Sequence, residues 1–345
     1  MTAQQSQEQP SLSDQVSRLY EIIGGYHATN LLKIAHELGV WGVVTTKPGI
    51  TSRQLAGALG TDEFYTEVLC RTAFAFGLLD RLNDGWQMGP HFDQILGNPD
   101  STFYLASAAS VHMKVGEDYE NYVEHFRAGT HTSYQAHDAA FMEEVGNATI
   151  ALPRIFLDFV LPGLPTLEAR LQAAAHVLDL GCGAGWAVVQ IAERFMQARC
   201  TGLDIEPHSV ALARDLIRQK GLEGRCEARV GSVELAESNT YDVITSFLVV
   251  HEIHPSLKKA AFADVARALK PGGFFLIFDE AYPEDDQALR SMPTRFAALA
   301  QWYEVTYGNR VNTRSELIDL CRGAGFEVDD ERGFSRFHII LARKP

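Results

Sequence analysis

A glycine-rich turn between a short apolar strand and a helix constrains this chain more than any other feature. The motif runs His176-Val-Leu-Asp179-Leu-Gly181-Cys-Gly183-Ala-Gly185. Because glycine has no Cβ, such a turn lets a ligand approach the backbone closely. Dinucleotide-binding folds use the spacing G-x-G-x-x-G, whereas this motif reads D-x-G-x-G-x-G. The spacing therefore argues against a dehydrogenase.

The sequence from His176 onward alternates apolar strands with helices, which predicts βαβ units around a parallel sheet. We predict strands at 176–180, 199–204, 226–231, 241–247, 273–278 and 337–343, and a further strand near 326–331. Helices are predicted at 186–196, 207–220, 256–270 and 313–324, and the segment 284–308 is predicted to be helical as well.

An acidic residue ends the second of these strands, in Thr201-Gly-Leu-Asp204. It follows Gly185 by 19 residues, close to the ~20 expected for an acid that binds ribose hydroxyls. A carboxylate at this position can accept hydrogen bonds from both hydroxyls. The alternative is a solvated acid at a strand end, but the two motifs in register favour ribose binding.

Three later blocks complete a recognisable series: Tyr241–Phe247, Leu269-Lys-Pro-Gly-Gly273 and Ala324-Gly-Phe326. In order and spacing, residues 176–345 resemble class I S-adenosylmethionine-dependent methyltransferases. The resemblance implies an α/β Rossmann-like seven-stranded sheet, S-adenosyl-L-methionine as cofactor and S-adenosyl-L-homocysteine as product. The residues that it implies for cofactor binding are Asp179, Gly181, Gly183, Gly185, Asp204, Ile205, Ser232, Val233 and Phe247.

Some of these cofactor assignments stay open at the level of sequence. Many relatives carry an acid where Ser232 stands, so the adenine contact of this chain departs from the family pattern. Ordinary core packing is an equally good explanation for Ile205 and Val233.

The first hundred residues have the order helix, helix, hairpin, which is the winged-helix pattern. A helix is predicted from Ser13 to Leu38, with Gly24-Gly25 as a potential break. Thr51-Ser52 and Thr61-Asp62 are predicted to cap two further helices, which end at Gly60 and near Phe76. Leu78–Met88 then reads as a hairpin that turns at Asn83-Asp84-Gly85.

These patterns divide the chain into four parts: a disordered lead-in at 1–10, a winged-helix dimerisation domain at 11–100, a helical linker and substrate cover at 101–173, and a methyltransferase domain at 174–345. Taken together, the two domains resemble the winged-helix small-molecule O-methyltransferases. That resemblance implies a small-molecule substrate and a homodimer formed through the N-terminal domain. Oxygen, nitrogen and carbon acceptors all remain open.

The same family resemblance assigns His251 as general base and Glu280 as the residue that orients it. Histidine titrates near neutral pH and can remove a proton from the acceptor as the methyl group is transferred. Two departures limit the match: Ile253 lies where a tryptophan is usual, and Val311-Asn312 replace a second orienting glutamate. His251 could instead be a helix-start residue that hydrogen-bonds the backbone.

Two aromatic and histidine-rich segments are candidates for covering the substrate. They contain His112, Tyr119 and Tyr122 in the first segment and Arg295, Trp302 and Tyr303 in the second. An aromatic stripe at helical spacing is more often core, and that reading is favoured for most single residues. The histidines of the first segment lack metal-ligand spacings, so we expect no metal there. Whether a metal assists the reaction stays open at the level of sequence.

The charge of the chain bears on whether the protein binds nucleic acid. The net charge of −14 disfavours a nucleic-acid partner, and residues 51–88 hold three arginines against five acids, which argues against a winged-helix transcriptional regulator.

Five cysteines without a C-x-x-C pair fit a cytoplasmic setting. With no apolar run near the ~18 residues of a span and no signal-peptide pattern, we expect no membrane association. A cofactor-binding protein that has lost methyl transfer, or that uses the cofactor's charge for another reaction, also remains open.

Overall fold

The chain divides between Met113 and Lys114 into two compact units. In this computed structural model the described residues are 9–292 and 294–345. The predicted lead-in at 1–10 therefore lies almost wholly outside the described residues. Most of the predicted helical segment 101–173 falls in the second unit.

The first unit consists of helices followed by one hairpin. Its elements are α1 (Leu12–Glu37), α2 (Val40–Thr46), α3 (Ser52–Leu59), α4 (Glu63–Ala75), β1 (Leu79–Leu82) and β2 (Gly85–Met88), and α5 (Ala108–Glu117) spans the division. Thr51 and Asp62 cap α3 and α4 as predicted, through their side chains. The buried Trp86 indole of the hairpin donates to Ser52 Oγ at 2.7 Å.

Helix α1 passes through Gly24-Gly25 without a break. The break predicted at these two glycines was therefore wrong. Two glycines cost about 2 kcal/mol of helix propensity relative to alanine. The helix has 26 residues and begins with a full capping box between Ser11 and Asp14. These local gains, and the burial of Leu31 and Ala35 against the first unit's core, offset that cost.

The second unit carries nine further helices and seven strands in its described residues. The helices are α6 (Tyr122–Ala128), α7 (Ala139–Ala148), α8 (Ala151–Ile155), α9 (Pro165–Gln172), α10 (Trp186–Arg194), α11 (Pro207–Gln219), α12 (Lys258–Ala268), α13 (Arg295–Glu304) and α14 (Arg314–Gly323). The strands are β3 (His176–Leu180), β4 (Arg199–Asp204), β5 (Cys226–Val230), β6 (Tyr241–Phe247), β7 (Leu269–Glu280), β8 (Glu327–Phe334) and β9 (Phe337–Arg343).

The seven strands form one sheet in the order β5-β4-β3-β6-β7-β9-β8. The five strands from β5 to β7 are parallel, and β9 runs antiparallel to both of its neighbours. A separate hydrophobic core covers each face of the sheet, as expected when crossover helices bury both faces of a parallel sheet. The predicted fold class, a Rossmann-like α/β domain with an N-terminal helical domain, is confirmed.

Two predicted helices differ from those observed. The segment 284–308 is not one helix, because α13 is flanked by short 3-10 turns at Asp286–Arg290 and Val305–Tyr307. Helix α12 ends at Ala268 and β7 begins at Leu269. Pro271 explains this early end, because proline disfavours the helical conformation in the residue before it.

One helical segment of the described residues, Ala139–Gly163, is long and apolar enough to cross a membrane by length and composition alone. The sequence analysis did not single it out. Several of its side chains, Phe156, Leu157 and Val160 among them, belong to the core on one face of the sheet. Core helices of soluble proteins pass the same test, so this segment is weak evidence for a membrane span.

Candidate active site

The parallel strands β3, β4, β6 and β7 bring their carboxyl ends to one edge of the sheet. The chain leaves β3 for β4 on one side and returns to β6 on the other. Ligands bind such open sheets outside the carboxyl ends, at the point where the strand order reverses. The predicted cofactor and catalytic residues follow these strand ends.

The glycine turn after β3 has the backbone that only glycine adopts readily. Gly181 has φ +65° and Gly183 has φ +51°, in the left-handed region. A Cβ at Gly181 would lie 2.4 Å from the Val249 side chain, whereas a Cβ at Gly183 would meet nothing within 4 Å. Gly181 thus allows close packing inside the protein, and Gly183 faces the space where a ligand can approach.

Asp204 lies at the end of β4 and joins the glycine turn directly. Its carboxylate oxygens accept from the backbone N–H of Gly183 at 2.8 Å and of Glu206 at 2.9 Å. Burial raises the pKa of the Asp204 carboxyl, although these backbone hydrogen bonds oppose the shift. Each oxygen retains a lone pair that could accept from a ribose hydroxyl.

The other predicted cofactor residues separate into two groups. Ile205, beside Asp204, leaves 58% of its side chain exposed, as an adenosyl-contacting residue would before its ligand binds, and Ser232 is half-buried. Val233, by contrast, is buried in the core that Leu203 and Phe262 also form. Core packing, the alternative that the sequence left open, accounts for its side chain, and the place of Val233 along the adenine edge stays a prediction.

Two predicted cofactor residues make protein contacts. Asp179 is buried on β3 and accepts from Thr245 Oγ1 on β6 at 2.7 Å, and burial raises its pKa to about 7. The Phe247 ring packs between Phe156 and Phe278, at centroid distances of 5.5 and 5.7 Å. The glycine turn, Asp204 and Ile205 thus carry the fit to an adenosyl ligand: open backbone, an acceptor for hydroxyls and an exposed apolar side chain.

His251 lies in a 3-10 turn after β6 and is only 4% exposed. Its Nδ1 hydrogen-bonds the carboxylate of Asp279, which also accepts from the His251 backbone N–H at 3.2 Å. The imidazole is therefore held by a carboxylate and is not a helix-start residue that bonds the backbone. His254 is a turn residue whose Nδ1 lies 2.8 Å from Ser256 Oγ.

The predicted orienting residue, Glu280, does not contact His251 in this structure. Its carboxylate lies 3.4 Å from the guanidinium of Arg336, and burial raises its pKa to about 7. Asp279 and Glu280 are neighbours on β7, and successive strand residues point to opposite faces of a sheet. Asp279 takes the place predicted for Glu280 because its side chain points toward the imidazole.

Two further carboxylates surround the imidazole. Glu304, at the end of α13, lies 3.9 Å from His251 Nε2, and Glu252 follows His251 directly. Burial alone would lower the pKa of His251, but Asp279, Glu304 and Glu252 outweigh it and raise that pKa to about 10. Glu252 is exposed to solvent, but the surrounding protein partly desolvates its carboxyl and, with the nearby Glu304 charge, raises its pKa to about 8. We call these four residues, His251, Glu252, Asp279 and Glu304, the His251 cluster.

Val311-Asn312, which stand where a second orienting glutamate was expected, have a different role here. The Asn312 amide oxygen accepts from the buried Lys258 ammonium, which also donates to the Arg310 carbonyl at 2.8 Å. Burial lowers the pKa of Lys258 to about 8. The second acid beside the imidazole is Glu304, so α13 supplies what the segment before Thr313 does not.

The two predicted cover segments converge in part. Tyr119 and Tyr122 pack against Trp302, at centroid distances of 6.2 and 5.2 Å, and the Tyr122 hydroxyl donates to the Trp302 carbonyl. Tyr122 is buried, which agrees with the core packing favoured from the sequence, whereas Tyr119 and Trp302 are 40% and 45% exposed. Tyr303 precedes Glu304 on α13. Burial raises the pKa of Tyr303, and the Glu280 and Glu304 carboxylates add to the shift.

The remaining two predicted cover residues lie apart from these contacts. Arg295 is exposed at the start of α13 and donates to the Arg290 carbonyl at 3.0 Å. His112 belongs to the first unit, on an exposed face of α5.

The sequence did not predict Asp279 as the partner of the imidazole, Glu304 beside that imidazole, or a network around Asp118. His137 Nε2 lies 3.0 Å from Asp118, and the Tyr307 hydroxyl donates to the same carboxylate at 2.6 Å. A sequence signal for Glu304 did exist, because it is the one acid in the mostly apolar helix α13. For Asp118, which lies 189 residues from Tyr307, no local pattern could have indicated the partner.

Comparison with known families matches both halves of the chain. Residues 177–273 match the methyltransferase domain, and residues 20–92 match the O-methyltransferase dimerisation domain. The predicted pairing of a class I methyltransferase domain with the dimerisation domain of winged-helix O-methyltransferases is confirmed.

Individual relatives match less than half of the chain. The chain is 32% identical over 162 residues to aclacinomycin 10-hydroxylase RdmB of Streptomyces purpurascens, covering 47% of this chain and 42% of that protein. It is 31% identical over 162 residues to polyketide synthase ThaQ of Burkholderia thailandensis, covering 47% of this chain and 7% of that protein. The chain thus spans less than half of either relative's length.

A solved structure extends the likeness of the fold to nearly the whole chain. Human N-acetylserotonin methyltransferase, determined in complex with S-adenosylmethionine, superposes with a TM-score of 0.74 at 19% identity. The match covers 97% of this chain and 99% of that one. The chain has the S-adenosylmethionine-dependent methyltransferase fold.

Proposed function

We propose that this chain, which pairs a methyltransferase domain with an O-methyltransferase dimerisation domain, transfers a methyl group from S-adenosylmethionine to a small-molecule acceptor, most simply to an oxygen atom. The observation that carries the proposal is the placement of two predicted sites at neighbouring strand ends. The glycine turn and Asp204 follow β3 and β4, and the buried His251 follows β6.

The glycine turn and Asp204 are the residues proposed to hold the cofactor. When bound, the cofactor supplies an electrophilic methyl group on a sulfonium. The open side of Gly183 would admit the methionine part to the backbone, and Asp204 would accept from the ribose hydroxyls. The exposed Ile205 side chain would lose contact with water against the adenosyl group.

His251 is proposed to take the proton of the acceptor. As the acceptor oxygen forms its bond to the methyl carbon, the sulfur–carbon bond breaks, S-adenosylhomocysteine is released and the acceptor's proton passes to the imidazole. The pKa of about 10 means that His251 is largely protonated at neutral pH before substrates bind. A sulfonium cation nearby disfavours the imidazolium, so cofactor binding would free the imidazole to act as base.

Calorimetric titration with S-adenosylmethionine, S-adenosylhomocysteine and NAD tests the cofactor. We expect micromolar binding of the first two ligands and none of NAD. The substitution Asp204→Ala should abolish binding, whereas Asp215→Ala, which removes an exposed carboxylate on α11, should leave binding unchanged. Tight NAD binding would overturn the proposal.

Release of S-adenosylhomocysteine with a panel of phenolic and keto-acid acceptors tests the reaction and the base. We expect His251→Ala to lower turnover by roughly 10²-fold to 10⁴-fold, the usual contribution of a general base. Unchanged turnover would remove the role of base from His251 and would leave methylation by proximity.

A second candidate function is a reaction other than methyl transfer on the same cofactor. The relative RdmB is named a hydroxylase, and the second orienting glutamate is absent from its usual place. Mass spectrometry of the acceptor separates the candidates. A mass gain of one methyl group supports methyl transfer, whereas a gain of one oxygen that depends on added dioxygen, with the cofactor unconsumed, supports the alternative.

We further propose that the chain acts as a homodimer in the cytoplasm, without a nucleic-acid or membrane partner. The dimerisation-domain match supports the dimer. So does helix α1, whose exposed apolar residues Leu12, Val16, Leu19, Ile23 and Tyr26 form one stripe. The five cysteines are free, in keeping with a reducing compartment. A mobility shift with DNA at low salt would contradict the exclusion of nucleic acid.

A further inference from the structure

The His251 cluster places three ligand-type atoms around one point. His251, Glu252 and Glu304 each offer one nitrogen or oxygen atom, and these atoms all lie within 4.8 Å of one another. His251 Nε2 and Glu304 Oε1 are 3.9 Å apart, too far for a hydrogen bond. Two ligands that each lie ~2.1 Å from a shared ion are roughly 3 to 4 Å apart. The spacing suits a shared ion better than a direct contact.

Neighbouring groups fix two of these ligands so that one atom of each is left for an ion. Asp279 occupies Nδ1 of His251, which leaves Nε2. Asn309 donates to Glu304 Oε2 at 2.9 Å, which leaves Oε1. A carboxylate on the far nitrogen of a histidine is the usual support of a metal-binding imidazole, because it fixes the tautomer and raises the basicity of the ligand.

The charge of the cluster also calls for a cation. Asp279, Glu252 and Glu304 place three carboxylates around one imidazole, which neutralises at most one of them. The two cationic side chains nearby are engaged by other groups, since Lys258 donates to Arg310 and Asn312 and Arg336 pairs with Glu280. Asp279 and Glu304 are buried, whereas Glu252 is exposed. A buried charge without a partner is costly, and a divalent ion beside Glu304 would compensate it.

We propose that His251 Nε2, Glu252 and Glu304 bind one divalent first-row transition-metal ion. One imidazole and two carboxylates suit Mn²⁺, Fe²⁺, Co²⁺ or Zn²⁺ and do not suit the thiolate-preferring Cu⁺. Three protein ligands leave further coordination positions for a substrate oxygen, and an ion there lowers the pKa of a hydroxyl that binds it. This inference goes beyond methyl transfer, and in the metal-loaded protein it makes His251 a ligand.

Binding of Mn²⁺ to the chelator-treated full-length chain tests the proposal. Bound Mn²⁺ loses the sharp resonance of the free ion, so electron paramagnetic resonance measures the free ion, and the bound ion is the difference from the total added. We expect about one ion per chain. Glu304→Gln and His251→Ala should each weaken binding at least tenfold, and Asp279→Asn should weaken it roughly 10-fold to 100-fold by releasing the imidazole.

A matched control keeps the result specific. Glu223→Gln removes an exposed carboxylate before β5, at the opposite edge of the sheet, and should bind Mn²⁺ like the parent chain. Circular dichroism confirms that each variant is folded. Absence of stoichiometric binding by the parent chain, or equal binding by the Glu304→Gln variant, would overturn the proposal.

Cofactor titration on the same preparations distinguishes this proposal from methyl transfer. Binding of S-adenosylmethionine without binding of Mn²⁺ would overturn the metal site alone. Binding of Mn²⁺ without binding of S-adenosylmethionine or S-adenosylhomocysteine would support the metal site and count against the proposed function.

Discussion

At the scale of single residues, the candidate site depends on which side of a strand an acid occupies. Asp279 and Glu280 are adjacent in sequence, yet one bonds His251 and the other pairs with Arg336. The motif itself contains both acids, so it could not distinguish them. The pairing was decided by the orientation of β7, which only the assembled sheet determines.

The substitution Asp279→Asn should lower the pKa of His251. The loss of the carboxylate removes the strongest interaction that raises that pKa. Turnover should fall roughly 10²-fold or more, because the imidazole loses its orienting partner. Histidine resonances followed by NMR across pH, with kcat measured alongside, check both effects.

Glu280→Gln is the matched comparison for this prediction. It removes a neighbouring carboxylate that does not bond the imidazole, so the His251 resonance should shift less than in Asp279→Asn. If Glu280→Gln moved the His251 pKa further than Asp279→Asn did, the assignment of the orienting residue would be wrong.

At the scale of elements, local signals in the sequence mark several helix starts. Helices α3 and α14 both begin with capping boxes, at Thr51–Gln54 and Thr313–Glu316. Each box satisfies two backbone N–H groups that a helix end otherwise leaves without partners. Glycine was a less reliable signal of where a helix ends, because α1 continues through Gly24-Gly25.

The Thr313 cap gives an element-scale prediction. Thr313→Ala should lower the free energy of unfolding of the second unit by about 1 kcal/mol, because the Glu316 backbone N–H loses its acceptor. Thr313→Ser retains the hydroxyl and should change stability less. Urea unfolding followed by circular dichroism measures both variants, and equal stability of Thr313→Ala and the parent chain would contradict the role of the cap.

At the scale of the whole molecule, the exposed stripe of α1 predicts self-association. Leu19→Asp places a charge in the stripe and should shift the chain from dimer to monomer, with at least a 100-fold weaker dimer. Ser17→Asp adds the same charge on the opposite side of α1 and should leave the dimer intact. Light scattering over a range of concentrations measures the mass; a monomeric parent chain would overturn the dimer.

The buried acids predict how stability depends on pH. Burial raises the pKa of Asp179 and Glu280 to about 7, so the folded chain binds these protons more tightly than the unfolded chain. His251 acts in the same direction, because its carboxylate partners raise its pKa to about 10. Stability from the carboxyls is complete below about pH 4 and is lost as pH rises toward 8.

We therefore expect the metal-free chain to have a higher Tm at pH 5.0 than at pH 7.5. This window lies below the pH at which Lys258, whose pKa falls to about 8, begins to act in the opposite sense. Thermal unfolding by circular dichroism in the presence of a chelator provides the measurement. Glu280→Gln should flatten the dependence, and a Tm that rises with pH would contradict this account.

The sequence alone determined the strand order along the chain, the helix caps and the cofactor loop. These features are local: a glycine turn, a capping residue or an alternating strand needs only a few adjacent residues to be recognised. All seven predicted strands of the second unit are present. Gly183 and Asp204, predicted as parts of one site, are joined by a 2.8 Å hydrogen bond.

Only the tertiary structure decided what surrounds His251. Glu304 lies 53 residues further along the chain, on a helix whose docking no local pattern specifies. The same reason explains why the Val233 side chain packs in the core and why Asp279, rather than Glu280, bonds the imidazole. The burial of a side chain and the direction in which it points depend on which elements pack together. Local periodicity shows that a residue has a face, and the assembled fold determines what that face meets.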